Sequence, residues 1–176
     1  MMIERAAERI ALAIKQANAE ETASVAVMKF ALILLINLVV AVAGALAVGA
    51  ATGKFWDTFL SLVWFAALRT IGGGYHFHSN YLCIVATIAI VAVPPHVRLP
   101  ESVVLALTVT SVCLAWWLAP SHLRGYNRIS ESVYPWLRLI VIAWISMNLW
   151  LQSSAFSLLS FIHVLSNFEW KGGKGA

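Results

Sequence analysis

Residues 25–51 read VAVMKFALILLINLVVAVAGALAVGAA, an apolar run interrupted only by Lys29 near its start and by Asn37. About 20 apolar residues are enough for an α-helix to cross the hydrocarbon core of a bilayer, so this run predicts a transmembrane helix. The rest of the chain agrees, because 61% of its 176 residues are hydrophobic and only 11% are charged. Soluble domains have roughly 45–50% apolar and about 25% charged residues. The composition therefore favours a membrane protein with one domain over residues 1–176.

Five further apolar runs follow, and each ends at a polar or proline-containing break. They cover about residues 55–69, 81–94, 102–119, 136–151 and 154–168. Because proline cannot continue a helix, Pro94-Pro95 and Pro120 are strong helix stops. The predicted fold is all-α, a polytopic membrane protein with about six transmembrane helices. The second and third runs are short for a bilayer, so we expect short or re-entrant helices and a recessed break between them; an ordinary surface loop is the alternative.

The N-terminal segment, residues 1–22, carries many charges and lacks the apolar core of a signal peptide. Ile3, Ala7, Ile10 and Ile14 recur three and four residues apart, which predicts an amphipathic helix. Such a helix lies in the membrane interface, or it packs as a solvated helix against the rest of the protein.

The basic residues predict an orientation in the membrane. With six spans and a cytoplasmic N-terminus, ten of the twelve Lys and Arg residues fall on the cytoplasmic side, and only Lys54 and Arg98 fall outside. This bias follows the positive-inside rule. The positive charge forms no patch or stripe, so nucleic acid is not a predicted partner.

The break between the second and third runs reads RTIGGGYHFHSNYLC, residues 69–83. Polar and ionisable side chains at membrane depth are costly, which makes each of them a candidate for function. Gly72 to Gly74 permit positive φ and the close approach of another backbone, as a peptide lying against the turn requires. Arg69 would bind a substrate carboxylate or stabilise an oxyanion, or it is an anchor that reaches the lipid headgroups.

Cys83 is the best nucleophile in this break, and His76 titrates in the range of a general base. On a continuous helix the two residues would stand roughly 10 Å apart along the axis, which is too far for proton transfer. The pair therefore works only when His76 lies on the loop and folds back toward the helix that carries Cys83. Ser79 or Asn80 would cap that helix, whose amino end favours a thiolate, and either residue would also orient the histidine.

Other interpretations of these residues stay open. His76 and His78, with Cys83 as a third ligand, form a weak pattern for a metal site, and no metal or other cofactor is predicted. A lone cysteine in an apolar helix is usually inert packing, which is the interpretation for Cys113. A polar break lined by His and Arg also suits a small non-enzymatic transport or channel subunit.

An Arg, a Gly-rich turn, Gly-x-His and a Cys seven residues after the His, set between short apolar helices, resemble the accessory gene regulator B (AgrB) family. The matching residues are Arg69, Gly73, Gly74-Tyr75-His76 and Cys83. Chain length, the charged N-terminal helix, about six spans and Ala119-Pro120 before a basic loop extend the resemblance over most of the chain. Phe77, where the family usually has a small residue, and the second histidine, His78, depart from the pattern.

The resemblance implies a bacterial membrane cysteine endopeptidase that processes a quorum-sensing propeptide of the AgrD-like kind. Cys83 would form an acyl-enzyme thioester with His76 as base and then acid, and a nucleophile within the peptide would close a thiolactone or lactone ring. Residues that bind substrate or support the site would be Arg69, Gly73, Gly74, His78, Ser79, Asn80, Arg124 and Arg128. The implied setting is the bacterial cell membrane, multi-pass, with the N-terminus and the site on the cytoplasmic side, lipids as partners and a homodimer as a further expectation.

Overall fold

The computed structural model describes residues 2–74, 79–120 and 130–168, and within these ranges every regular element is helical. The α-helices are α1 Met2–Ala17, α2 Val25–Ala51, α3 Phe55–Gly72, α4 Asn80–Ala92, α5 Glu101–Leu118, α6 Tyr134–Ser146, α7 Asn148–Leu151 and α8 Ser154–Ser166. Two 3-10 turns, Pro94–His96 and Glu131–Val133, extend α4 and precede α6. The all-α prediction is confirmed.

The helix ends follow local rules. Ser24 caps α2 by accepting a hydrogen bond from the Val27 N–H at 3.4 Å, and Ser153 caps α8 in the same way through the Phe156 N–H. Pro94-Pro95 ends α4 as expected. One end differs from the prediction, because α3 continues past Arg69 to Gly72, and the Thr70 hydroxyl donates to the Ala66 carbonyl at 2.8 Å within that last turn.

Three helical segments are long and apolar enough to cross a membrane, namely Val25–Ala51, Glu101–Leu118 and Tyr134–Leu151. The segments Asn80–His96 and Ser154–Ser166 are apolar but shorter, so six crossings stay a prediction. Only 11% of the most apolar part of α2 is buried inside the protein. The outer surface of the bundle is therefore apolar, as a lipid-facing surface must be. Cys113 is on this exposed surface of α5 and not in the core, and its interpretation as inert packing in an apolar helix stays a prediction.

The core forms where α3, α5, α6 and α8 meet. Trp64 of α3 stacks on Phe156 of α8 with ring centroids 4.4 Å apart, and its indole N–H donates to the Ser160 hydroxyl at 3.1 Å. Trp144 of α6 lies against the same indole at 5.3 Å. These contacts fix α3 against α8, and α3 is the helix that carries Arg69.

The N-terminal helix α1 packs along α2. Ala7 and Ala11 are fully buried, while Ile10 and Ile14 remain exposed. The Lys29 ammonium of α2 donates to the Glu8 carboxylate at 2.9 Å and joins the two helices. The predicted position of α1 in the membrane interface stays a prediction.

The bundle has two chemically different ends. At the end where α3 begins and α4 finishes, a cavity of about 320 Å³ lies between Asp57, Pro94 and Ser154, and Lys54 pairs with Asp57 at 2.9 Å. The opposite end holds the last turn of α3, the first turn of α4 and the last turn of α8. Lys54, which is predicted to lie outside, is thus at the end of the bundle away from the glycine-rich break.

Candidate functional site

The glycine-rich turn begins where α3 ends. Gly72 is the last helical residue, and it is followed by Gly73 with φ 73° and Gly74 with φ 121°. These two values lie in the region that side chains with a Cβ rarely adopt. The prediction that the turn uses positive φ is therefore confirmed at Gly73 and Gly74.

Cys83 is located in the first turn of α4, where its N–H donates to the Ser79 carbonyl at 3.0 Å. Its side chain is partly buried. Ser79 occupies the N-cap position in an extended conformation, but its side chain makes no capping hydrogen bond, so the predicted Ser79 cap is wrong. The nucleophile candidate thus stands one turn from the amino end of a helix, where the aligned peptide dipoles favour negative charge.

Asn80 is held by α2 rather than used as a cap. The Asn37 side-chain amide donates to the Asn80 Oδ1 at 3.1 Å, while Asn37 Oδ1 is buried without a hydrogen-bond partner among the described residues. Asn80 precedes Cys83 by three residues, so the two side chains are neighbours on the helix surface. The single amide within the long apolar run of α2 therefore anchors the start of the helix that carries the thiol.

Arg69 lies next to the glycine turn and interacts electrostatically with Cys83. It is partly buried in the last turn of α3, and its guanidinium is near enough to Cys83 for an electrostatic interaction. A Cβ added to Gly74 would overlap the Arg69 Nη1 atom. The structure therefore brings together Arg69, Gly74 and Cys83, three of the residues that the sequence predicts for one site.

The sequence did not indicate the polar residues that α8 contributes. His163 and Asn167 are 0% and 1% exposed. A Cβ added to Gly72 would lie 2.6 Å from His163 Nε2, and one added to Gly74 would lie 3.1 Å from Asn167 Oδ1. The end of α8 thus packs directly on the glycine turn. No local motif could have found these two residues, because roughly ninety residues of chain separate them from the turn they contact.

A second basic residue binds the chain next to the site. The Arg138 Nε–H of α6 donates to the Ala119 carbonyl at 2.8 Å, immediately before Pro120. Val141, one turn later on α6, is 3.3 Å from a Cβ built on Gly72. The start of α6 therefore joins the end of α5 to the glycine turn, beside the predicted basic loop.

Four predicted site residues, His76, His78, Arg124 and Arg128, lie outside the described residues. The distance from His76 to Cys83 and the choice between the two histidines therefore stay predictions, as does the His-Cys metal pattern. Over residues 2–74, 79–120 and 130–168, no three His, Cys, Asp or Glu side chains form a group that could hold a metal ion.

Comparison with known proteins gives a family match over most of the chain and one relative that matches about half of it. A family model described as Accessory gene regulator B matches residues 7–169. A protein of Halalkalibacterium halodurans described as AgrB-like is 31% identical over 87 residues. That match covers 49% of this chain and only 44% of the relative, so less than half of the relative's length is represented. No solved structure matches the chain.

Proposed function

We propose a peptide-processing role for this chain, which belongs to the accessory gene regulator B family. Members of the family take part in processing autoinducer peptides in quorum sensing, and the exposed apolar helices make this chain a membrane protein. The proposed activity is that of a membrane cysteine endopeptidase. It cleaves a quorum-sensing propeptide through an acyl-enzyme thioester and promotes the closure of a thiolactone or lactone ring.

The observation that supports this activity best is the position of Cys83. Its side chain is partly buried in the first turn of α4, and the Arg69 guanidinium lies within electrostatic range. A helix amino end and a nearby cation both stabilise a thiolate relative to a thiol. The glycine turn next to them has two residues with positive φ, of which Gly73 is partly buried and Gly74 is buried.

The proposed reaction has two stages. In the first, the Cys83 sulfur attacks the carbonyl carbon of a peptide bond, while His76 takes the thiol proton and then gives it to the leaving amine. The Arg69 guanidinium stabilises the oxyanion that forms in between. In the second, a thiol or hydroxyl of the bound peptide attacks the thioester carbonyl, which closes the ring and returns the proton to Cys83.

Ring closure must compete with hydrolysis of the thioester. A water-excluding pocket favours capture by a nucleophile that is already bound, because water is then scarce at the thioester. The apolar surroundings of α2, α3 and α4 suit such a pocket. We further propose that the protein is multi-pass in the bacterial cell membrane, with its N-terminus and this site on the cytoplasmic side, where Arg124 and Arg128 attract an acidic tail of the propeptide.

The test is cleavage of an AgrD-like propeptide that is co-expressed with the protein in membranes. We expect Cys83→Ser and His76→Ala each to abolish cleavage while the protein still inserts in the membrane. The matched control is Cys113→Ser, which replaces the exposed second cysteine and should cleave at the native rate. A Cys83→Ser protein that cleaves like the native chain would refute the proposal.

Two further variants, Cys83→Ala and His78→Ala, test the two alternative functions that the sequence left open. A transport or channel subunit would keep its flux in Cys83→Ala, because a pathway needs no nucleophile. A structural metal site would show stoichiometric zinc that disappears in His78→Ala. Measurement of His78→Ala in the cleavage assay also decides which histidine acts, since we expect this variant to retain activity.

A further inference from the structure

Two polar side chains at the end of α8 are buried without hydrogen-bond partners. Both ring nitrogens of His163 and both amide atoms of Asn167 lack a partner among the described residues. The two residues stand four positions apart, so their side chains share one face of the helix. Gly72 and Gly74 contact that face, and the Arg69 guanidinium lies near Gly74. The unpaired atoms are thus directed at the glycine turn of the proposed site.

The other buried polar side chains of α7 and α8 are hydrogen-bonded, although Thr58, Ser61 and Trp144 in other helices also have buried polar atoms without a partner among the described residues. The Ser157 hydroxyl donates to the Ser154 carbonyl at 2.9 Å, and Ser160 accepts from an indole N–H. Asn148, as deeply buried as Asn167, donates to Thr108 Oγ1 at 3.0 Å and accepts from the Ser153 N–H at 3.0 Å. Burial of polar groups does not by itself leave them unpaired in this protein.

An unpaired buried polar atom destabilises a fold, whereas an apolar side chain of the same shape does not. Such groups persist mainly where function requires them. The amide of Asn167 offers a donor and an acceptor side by side, which is the pattern that a peptide unit complements with its own C=O and N–H. The Gly74 backbone, which lies beside this amide, belongs to the turn that a peptide in the proposed site would contact.

We propose that His163 and Asn167 form a subsite that hydrogen-bonds the main chain of the peptide substrate beside the Gly72–Gly74 turn. The turn covers this subsite in the free protein, and the bound peptide supplies the hydrogen-bond partners that these atoms lack among the described residues. This inference rests on the proposed function, because it assigns the peptide as the ligand. It also gives α8 a role in substrate recognition that is separate from the chemistry at Cys83.

The experiment measures binding and stability separately. The protein carries Cys83→Ser to prevent turnover and is held in nanodiscs. The probe is the same AgrD-like propeptide labelled with fluorescein, and its binding is measured by fluorescence anisotropy. His163→Leu and Asn167→Leu should each weaken the Kd by about tenfold or more, since each removes hydrogen bonds to the peptide. Both variants should keep or raise the melting temperature, because each removes unpaired buried atoms.

The matched control is Asn148→Leu, which makes the same substitution at a buried asparagine whose partners are present. It should lower the melting temperature and leave the Kd unchanged. Native affinity in His163→Leu and Asn167→Leu, or no binding in the Cys83→Ser protein, overturns the subsite. A lower melting temperature in both variants also overturns it, since the atoms are then satisfied by water or serve packing. If His163→Leu and Asn167→Leu weaken peptide binding as expected but Cys83→Ser still cleaves the propeptide, the proposed chemistry fails and the subsite stands.

Discussion

The contact between Gly72 and His163 allows a sharp test of how tightly the last helix packs on the glycine turn. A Cβ at position 72 would lie 2.6 Å from His163 Nε2, 3.2 Å from its Cε1 and 3.3 Å from Val141 Cγ2. The imidazole would have to retreat by roughly 0.8 Å to restore an ordinary van der Waals distance. It has little room, because His163 is fully buried and its ring stands edge-on to Phe65 with centroids 6.4 Å apart.

These distances set the size of the effect of Gly72→Ala. Forcing an extra methyl into a packed core costs about 1–3 kcal/mol, and the immobile ring argues for the upper half of that range. Alanine regains up to about 1 kcal/mol over glycine in a helix, and less at position 72, because this is the last helical residue. We therefore expect a net loss of about 1–2 kcal/mol, and a melting temperature lower by about 2–4 °C for each kcal/mol.

The control is Gly44→Ala, measured by the same thermal unfolding in detergent. A Cβ on Gly44 would also meet an atom at 2.6 Å, but that atom is Ile88 Cδ1, the far end of a flexible side chain. We expect Gly44→Ala to be neutral or stabilising. In the double variant Gly72→Ala/His163→Ala, the methyl should cost less than in Gly72→Ala alone, with a coupling of about 0.5 kcal/mol or more. Equal melting temperatures for the native chain and Gly72→Ala, or strict additivity in the double variant, would refute this packing.

Three further outcomes follow from single contacts. Asn37→Leu removes the donor to Asn80 and should therefore weaken propeptide cleavage and destabilise the fold. We expect a loss of about 0.6–1.7 kcal/mol, which is the range for hydrogen bonds between membrane helices. The cleavage assay and thermal unfolding measure the two effects. The pKa of the Glu8 carboxyl lies below its ordinary value of 4.5, because the Lys29 ammonium donates a hydrogen bond to the carboxylate and attracts its charge. The attachment of α1 to α2 should therefore persist at neutral pH and weaken as acid protonates Glu8 below pH 4.5. Spin-label distances between the two helices should report this change, and Glu8→Gln should show the loosened state at about pH 7. Arg138→Met removes the donor to the Ala119 carbonyl before Pro120. It should lower the free energy of unfolding by about 1.5–3 kcal/mol, which is the range for hydrogen bonds from charged groups. An unchanged melting temperature would show that this hydrogen bond does not stabilise the fold.

The helices were predictable because their boundaries are local. Many of the observed ends lie near a proline, a serine cap or a glycine that sequence rules interpret without knowledge of the fold. The 3-10 turn at Pro94–His96 and the end of α2 at Ala51 follow from such signals. The predicted run 136–151 instead divides into α6 and α7 at Met147, beside the buried Asn148. That break depends on hydrogen bonds to α5 and to the α7–α8 connection, which no local pattern encodes.

The candidate site was predictable only in part, for the same physical reason. Arg69, Gly74 and Cys83 are close in sequence, so a short motif was enough to group them. His163 and Asn167 reach the same place through tertiary packing, and in an isolated apolar helix they resemble ordinary polar interruptions. Asn37 was visible as such an interruption, but its partner Asn80 belongs to a helix 43 residues later.

The hydrogen bond between Asn37 and Asn80 also indicates how deep the proposed site lies along α2. Asn37 follows Lys29 by eight residues, which corresponds to roughly 12 Å along α2 at 1.5 Å per residue. The ion pair of Lys29 with Glu8 marks the polar end of α2, and the intervening side chains include exposed Phe30, Leu34 and Leu35. Because α4 begins opposite Asn37, its first turn starts well inside the apolar band of α2. A helix that starts there need not span the bilayer, which accounts for the short α4 and would place the proposed nucleophile, Cys83, where water is scarce.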